Sequence, residues 1–145
     1  MGTFGEYLEA KVLDEAFGAT AFAASSSLFF GLCTTDITSS GGEYVGTEPS
    51  SLTGYQRVEI DNVSSNFTAA ATSNTCSIKF NNVAITFPVV AASSWDTVTH
   101  AFVCDTSSCA DAGNLYCWGE LTVHKDLDVG DTASFAANSF KITLD

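Results

Sequence analysis

The chain has 145 residues, enough for one domain with its own hydrophobic core. Its composition, 46% hydrophobic and 12% aromatic with 11 Phe, argues against disorder. Five basic residues (Lys11, Arg57, Lys79, Lys125, Lys141) stand scattered among 17 acidic ones for a net charge of −12, which disfavours both nucleic acid and an anionic membrane surface as partners.

Only 15% of residues are charged, so Ser, Thr, Asn and Gly do much of the solvating. A surface of that kind gives up little when a partner covers it. No apolar run approaches the roughly 20 residues that span a bilayer. The start, Met1-Gly-Thr-Phe-Gly-Glu6, lacks the basic and apolar regions of a secretory signal and the Ser or Thr at position 6 of a myristoylation site. The expectation is synthesis and retention in a cytoplasm until assembly or release.

Residues 3–18 are predicted to be helical. Thr3-Phe-Gly-Glu6 fits a capping box, and Phe4, Leu8 and Val12 repeat at i+4, with Leu13, Ala16 and Phe17 widening the stripe. Gly18 stands where a C-terminal cap belongs. The period then changes to two. Residues 27–33 read as a buried strand, and 34–54, rich in Thr, Ser, Gly and Asp, as a long loop. Residues 55–60 alternate as a half-buried strand. Two short runs, 77–80 and 84–87, flank an Asn81-Asn82 turn, and Pro88 stops or edges the second.

Residues 97–104 form the best strand, rich in β-branched side chains. A polar loop over 105–113 leads into 114–121 as a hairpin. Residues 128–131 are a turn, and 133–137 and 140–144 close the sheet. Seven or eight short strands so spaced predict a mainly β, antiparallel sandwich or barrel with one N-terminal amphipathic helix. It is read as a single domain over 1–145, with its β part over 27–145.

Catalysis finds little to work with. His100 lies inside a strand, where an imidazole is more often core or interface, and His124 stands near a turn beside Lys125. No Gly-x-Ser-x-Gly elbow and no phosphate-cradling glycine loop occur. His100, Cys104, Cys109 and Cys117 fall within 18 residues, but without the close knuckle spacing zinc prefers. Asp126, Asp128 and Asp131 lack the spacing of a calcium loop. No metal, cofactor or enzyme activity is expected. Five cysteines are an odd number, so at least one stays free or pairs outside the chain. Cys104, Cys109 and Cys117 are candidates for a disulfide fastening the hairpin loop, with reduced buried thiols the competing reading.

Several segments together resemble a family of small tailed-phage proteins commonly described as tail-fibre proteins. They are Phe4-Gly-Glu-Tyr-Leu-Glu-Ala-Lys-Val-Leu-Asp14, Leu28-Phe-Phe-Gly-Leu-Cys-Thr-Thr-Asp36, Thr47-Glu48 with Gly54-Tyr-Gln-Arg57, and Ile85-Thr-Phe-Pro88. Ser94-Trp-Asp-Thr-Val-Thr-His100, Gly113-Asn-Leu115, Gly130-Asp-Thr132 and Ile142-Thr-Leu144 complete the pattern, which covers nearly the whole chain. It departs from the family in the extra cysteines of the hairpin loop and in Asp96, where glycine is expected.

The resemblance implies a structural virion protein and carries over no catalytic residue. It implies other phage structural proteins as partners and a homo-oligomer, such as a trimer. It also implies exposure to oxidising surroundings after lysis, which would permit late disulfides. Loop 34–54 and tip 105–113 are candidates for subunit contacts, and Phe4, Tyr7, Leu8, Tyr44, Trp95, Tyr116 and Trp118 are candidate interface residues. Two rival roles keep the same fold: a capsid decoration protein bridging head subunits, and a carbohydrate-binding adhesion module. In the second, Trp95, Tyr116 and Trp118 would stack on sugars, with Tyr116 and Trp118 on one sheet face and Cys117 opposite.

Overall fold

The computed structural model describes residues 2–18, 20–40, 43–72 and 76–144. The alternating runs become antiparallel strands. In chain order these are β2 (Ser27–Cys33), β5 (Val58–Asp61), β7 (Ser77–Phe80), β8 (Ile85–Val89), β9 (Thr97–Cys104), β10 (Leu115–Asp126), β11 (Thr132–Phe135) and β12 (Lys141–Leu144). Shorter strands join them: β1 (Gly2–Phe4), β3 (Thr38–Ser40), β4 (Glu43–Val45) and β6 (Ala71–Thr72). The largest sheet has the order β1-β10-β9-β2-β5. Opposite it lie the β12-β7-β6 sheet and the β11-β8 ribbon, giving a sandwich-like arrangement.

Between these layers the phenylalanines find their place. Trp95, Tyr55, Phe87, Phe135, Phe140, Phe30 and Phe67 form an unbroken chain of ring contacts, with successive centroids 5.1–6.4 Å apart. Leu28, Leu32, Ile85, Val98, Val103 and Cys117 fill the space around them. Edge-to-face and offset ring pairs each add a little beyond the area they bury. A core built this way needs few aliphatic side chains of its own.

The N-terminus departs from expectation. The helix α1 spans Glu6–Gly18, and Thr3 is not its cap. Gly2, Thr3 and Phe4 instead pair with Gly119, Trp118 and Cys117 along the edge of β10. Long-range pairing with an open strand edge wins over the local capping box, which satisfies fewer backbone groups. Gly5 makes the turn into the helix with its N–H donated to the Tyr116 carbonyl (2.8 Å), so close to the Leu115 carbonyl that a Cβ has no room.

Only the first turns of the predicted stripe reach the sheet, through Tyr7 and Leu8 beside Phe4. Val12, Leu13 and Phe17 are exposed, Phe17 at 87%. Gly18 is the last helical residue rather than the cap beyond it.

Residues 34–54 are not an open loop. They fold back as the β3–β4 hairpin and a single 3₁₀ turn at Ser51–Thr53, and cover the outer face of the large sheet. The strand expected at 55–60 starts only at Val58, because Tyr55 and Arg57 turn inward as buried side chains. Pro88 lies within β8, where the β8–β11 pairing is irregular. Asn81 is no solvated turn residue: it is 1% exposed. Its amide donates to the Val83 and Ala136 carbonyls (2.8 Å each) and its oxygen accepts from the Phe140 N–H (2.8 Å), tying β7 to the chain leading into β12.

Candidate functional site

The chain's single arginine organises the most polar buried region. Arg57 lies just before β5, with its side chain wholly buried. Its Nη2 donates to Glu48 Oε1 (2.7 Å) and Nε to both Glu48 oxygens (3.2 Å each). Nη1 donates to the Thr106 carbonyl (2.9 Å) and toward Cys104 Sγ (3.2 Å), and Nη2 also to the Asp111 carbonyl (3.1 Å). Five donors thus meet a carboxylate, two backbone carbonyls and a sulfur, which uses the full capacity of a guanidinium. Burial is the largest single effect and works against the charge, but the Glu48 hydrogen bonds together with the negative charge of Glu48 and the neighbouring Cys104 and Cys109 sulfurs outweigh it and hold the Arg57 pKa above its ordinary value.

Glu48 is completed by Tyr55, whose hydroxyl donates to Oε2 (2.7 Å) and accepts from the Leu32 N–H (2.8 Å). The guanidinium also lies over the Phe102 ring (5.2 Å) and near that of Tyr44 (5.8 Å), and these two rings stack at 4.3 Å. Gly31 makes this stack possible. It pairs with Phe102 across β2 and β9, and the Phe102 ring occupies the space a Cβ would need. Cys33 Sγ and the Tyr44 hydroxyl, 2.6 Å apart, close the far side.

The clamp therefore fastens segment 34–54 and tip 105–113 to each other and to the sheet. Its charges are spent internally, with no guanidinium donor left for a substrate. A pocket opens beside it, lined by Ser51, Gln56, Ser107, Ser108 and Cys109 among others. Both segments are candidate subunit contacts by sequence; their inner sides belong to this clamp.

The cysteines are all free thiols. Burial pushes the Cys33 and Cys117 thiols up to about 12 and Cys104 to about 11, and raises that of Cys109. Cys104 faces the clamp with Leu115 and Phe102, whereas Cys117 faces the aromatic core.

A bulge decides this arrangement. Leu115 pairs with Cys104 and Cys117 with Val103, leaving Tyr116 as the extra residue. Tyr116 and Cys117 consequently both pack on the aromatic side, and Trp118 on the other. This reverses the expectation that Tyr116 and Trp118 share a face with Cys117 opposite.

Of the candidate interface residues, Tyr44, Trp95 and Tyr116 are buried inside the chain at 7%, 1% and 7% exposure. Trp95 is held further by its indole N–H on the Thr53 carbonyl (3.3 Å). Stacking on a sugar is thereby closed to Trp95 and Tyr116. Phe4, Tyr7, Leu8 and Trp118 remain partly exposed.

His100 is a strand residue with Nδ1 on the Thr99 hydroxyl (2.8 Å), and Asp36 lies 3.8 Å from its Nε2. His124 is at the surface and hydrogen-bonds Glu120 (3.0 Å). Among the described residues, no three His, Cys, Asp or Glu side chains converge as a metal site. Among the described residues no helix is long and apolar enough to cross a membrane.

Sequence reasoning noted Thr47-Glu48 and Gly54-Tyr-Gln-Arg57 as motifs but gave them no role, and counted Arg57 as one scattered charge. A lone arginine two residues after a tyrosine, in an acidic chain, was the available signal.

A sequence model of the family described as "Podophage GP4 fiber I protein gp80" matches residues 3–143. No curated protein matches the chain.

Proposed function

The chain belongs to the podophage GP4 fiber I family, and on that premise we propose that it is a non-enzymatic structural component of the phage particle, built into the tail fibre or its attachment. The observation that carries this reading is the extent of the match, which runs from β1 into β12 and so takes in the whole folded unit. The chemistry of the buried clamp supports it. Arg57, Glu48, Tyr55 and Cys104 are the groups most able to act on a substrate, and each is engaged with another part of the fold. A site of that kind fixes loop geometry, which is what a protein presenting surfaces to neighbouring subunits requires. Its partners are then other structural proteins of the particle, and its place is the virion.

Mass spectrometry of purified particles, quantified against the major capsid protein, tests the reading. A few copies per hundred capsid subunits, with antibody labelling at the tail, is the expected result. A ratio near one per capsid subunit would move the protein to the head as a decoration protein. Absence from particles would overturn the structural role altogether.

A further inference from the structure

Two features of the surface expose apolar side chains and carry opposite charge. The first is the outer face of α1. At 100° per residue, Leu13 and Phe17 fall on the side of the helix opposite Tyr7 and Leu8, the residues that pack on the sheet. They are 59% and 87% exposed, and Glu9 stands one turn before Leu13 on the same side. The helix carries four acids, Glu6, Glu9, Asp14 and Glu15, against Lys11, which lies over the Tyr7 ring.

The second feature is the open seam of the sandwich. β1 covers β10 over residues 117–119, so among the described residues the outer edge of β10 beyond Gly119 is unpaired, and β12 and β11 are edge strands of the opposite layer. Between them runs a groove of about 480 Å³, with Trp118, Leu121, Phe135, Phe140 and Ile142 in its lining.

The groove has two polar properties of its own. Lys125 and Lys141 line it, two of only four lysines in a chain of net charge −12, and neither is in an ion pair among the described residues. Glu120, its one lining acid, is hydrogen-bonded to His124. Thr143 also lines it, 6% exposed, and its hydroxyl has no hydrogen-bond partner among the described residues. A buried hydroxyl without a partner is unfavourable.

We infer that the Glu9–Leu13–Phe17 face of α1 in one copy seats in the β10–β12 groove of a second copy of this chain. The occupant is another copy because a chain's own helix cannot reach: its first turns are fixed on β10 by Tyr7 and Leu8, with Leu13 and Phe17 turned away. Charge favours the acidic helix over other surfaces, since Glu9 stands on its docking face and the groove offers Lys125 and Lys141. Helix and groove are different patches, so the contact is heterologous, and it closes into a ring or continues as a filament according to the rotation between copies.

The inference deepens the structural role proposed above and rests on it only for the expectation of an assembly. Particle copy number tests that role, whereas the purified chain alone tests this contact. A chain found in particles but monomeric in solution would sink the docking and leave the role standing.

Sedimentation velocity on the full chain at tens of micromolar should show an oligomer. Phe17→Glu should weaken association at least tenfold, with an unchanged circular dichroism spectrum because Phe17 packs on nothing. Lys125→Glu with Lys141→Glu should weaken it similarly, and adding Glu9→Lys should restore it. With p-benzoylphenylalanine at position 13, crosslinked peptides should map to 118–125 or 134–143 of the other copy. A monomer throughout, an oligomer indifferent to Phe17→Glu, or crosslinks outside the groove would overturn the contact. The last would include strand addition along β10 or another phage protein as the occupant.

Discussion

One face of the β1-β10-β9-β2-β5 sheet is closed by strands and the other by loops, and the two covers hold by different physics. On the strand-covered side, seven aromatic rings in sequence from Trp95 to Phe67 pack with aliphatic neighbours, and the buried polar contacts are uncharged ones made by Asn81 and the Trp95 indole. On the loop-covered side a smaller apolar cluster, Cys33, Ile37, Tyr44, Phe102, Cys104 and Leu115, is sealed by the Arg57–Glu48 pair. Loops carry backbone groups that no ladder satisfies. Arg57 answers for those of Thr106 and Asp111, while Tyr55 takes the Leu32 N–H of β2, which lies past the end of its pairing with β5. The first side can lose a methyl group and repack; the second loses a network when one member goes.

The sharpest way to break this comparison is Arg57→Ala. It strands Glu48 inside the fold and frees two carbonyls at once, and removing one partner of a buried ion pair costs about 3–5 kcal/mol. Urea unfolding should show that loss. Hydrogen exchange should show segments 34–54 and 105–113 released before the aromatic side. If both sides loosened together, the clamp would be part of the single core rather than a separate seal.

The two covers were also unequally legible. Every run read from the sequence, from 27–33 to 140–144, appears as a strand, the 55–60 run only from Val58: β8 alternates because one face packs inward, and β2 and β9 are nearly continuously apolar because both faces are covered. The aromatic core comes with it. The loop-covered side was hidden because its determinants are not periodic. Arg57 looks like any surface cation until the chain brings it beside Glu48, Thr106 and Asp111. The Tyr116 bulge inverts a face assignment that strict alternation would give, and bulges are set by pairing partners. β1 escaped notice for the same reason: Gly2–Phe4 has no strand signature, only an open edge to join. The helical stripe was read correctly as apolar, but its far half faces outward.

Alkaline conditions should sharpen the contrast. Thiols kept neutral by burial retain protons to about pH 11 (Cys104) or 12 (Cys33, Cys117), whereas the unfolded chain releases them from about 9. Above pH 9 the unfolded state therefore binds fewer protons, and stability, fully present below that pH, falls as pH rises. The loss is at most about 1.4 kcal/mol per pH unit for each thiol. Two of the three thiols lie on the loop-covered side. Urea midpoints between pH 9 and 11 should fall less steeply in a Cys33→Ala, Cys104→Ala variant than in Cys117→Ala. Equal slopes would remove the distinction between the faces.

Gly31→Ala probes the same side through packing alone. The added methyl displaces the Phe102 ring from beneath Tyr44 and Arg57, and overpacking of this kind costs about 1–3 kcal/mol. Near-ultraviolet circular dichroism should register the displaced tyrosine while the Trp95 contribution stays as it was.

The smallest expected effect lies on the aromatic side, at Asp96. This residue follows the buried Trp95, whose N–H is held by the Leu127 carbonyl (2.9 Å), and precedes β9. The chain turns between them with Asp96 at φ +58°, in the left-handed region that favours glycine. Glycine is also what the family resemblance leads one to expect there. Asp96→Gly relieves the left-handed cost but adds freedom to the unfolded chain, so the net gain should stay below about 1 kcal/mol, or roughly 2–4 °C in Tm. Calorimetry resolves that difference. A rise would mean that the turn into β9 tolerates aspartate at a cost, because the Trp95 anchor on the aromatic side over-determines it. A fall would mean that the carboxylate makes a contact worth more than the strain, a polar support on the strand-covered side beyond those of Asn81 and the Trp95 indole.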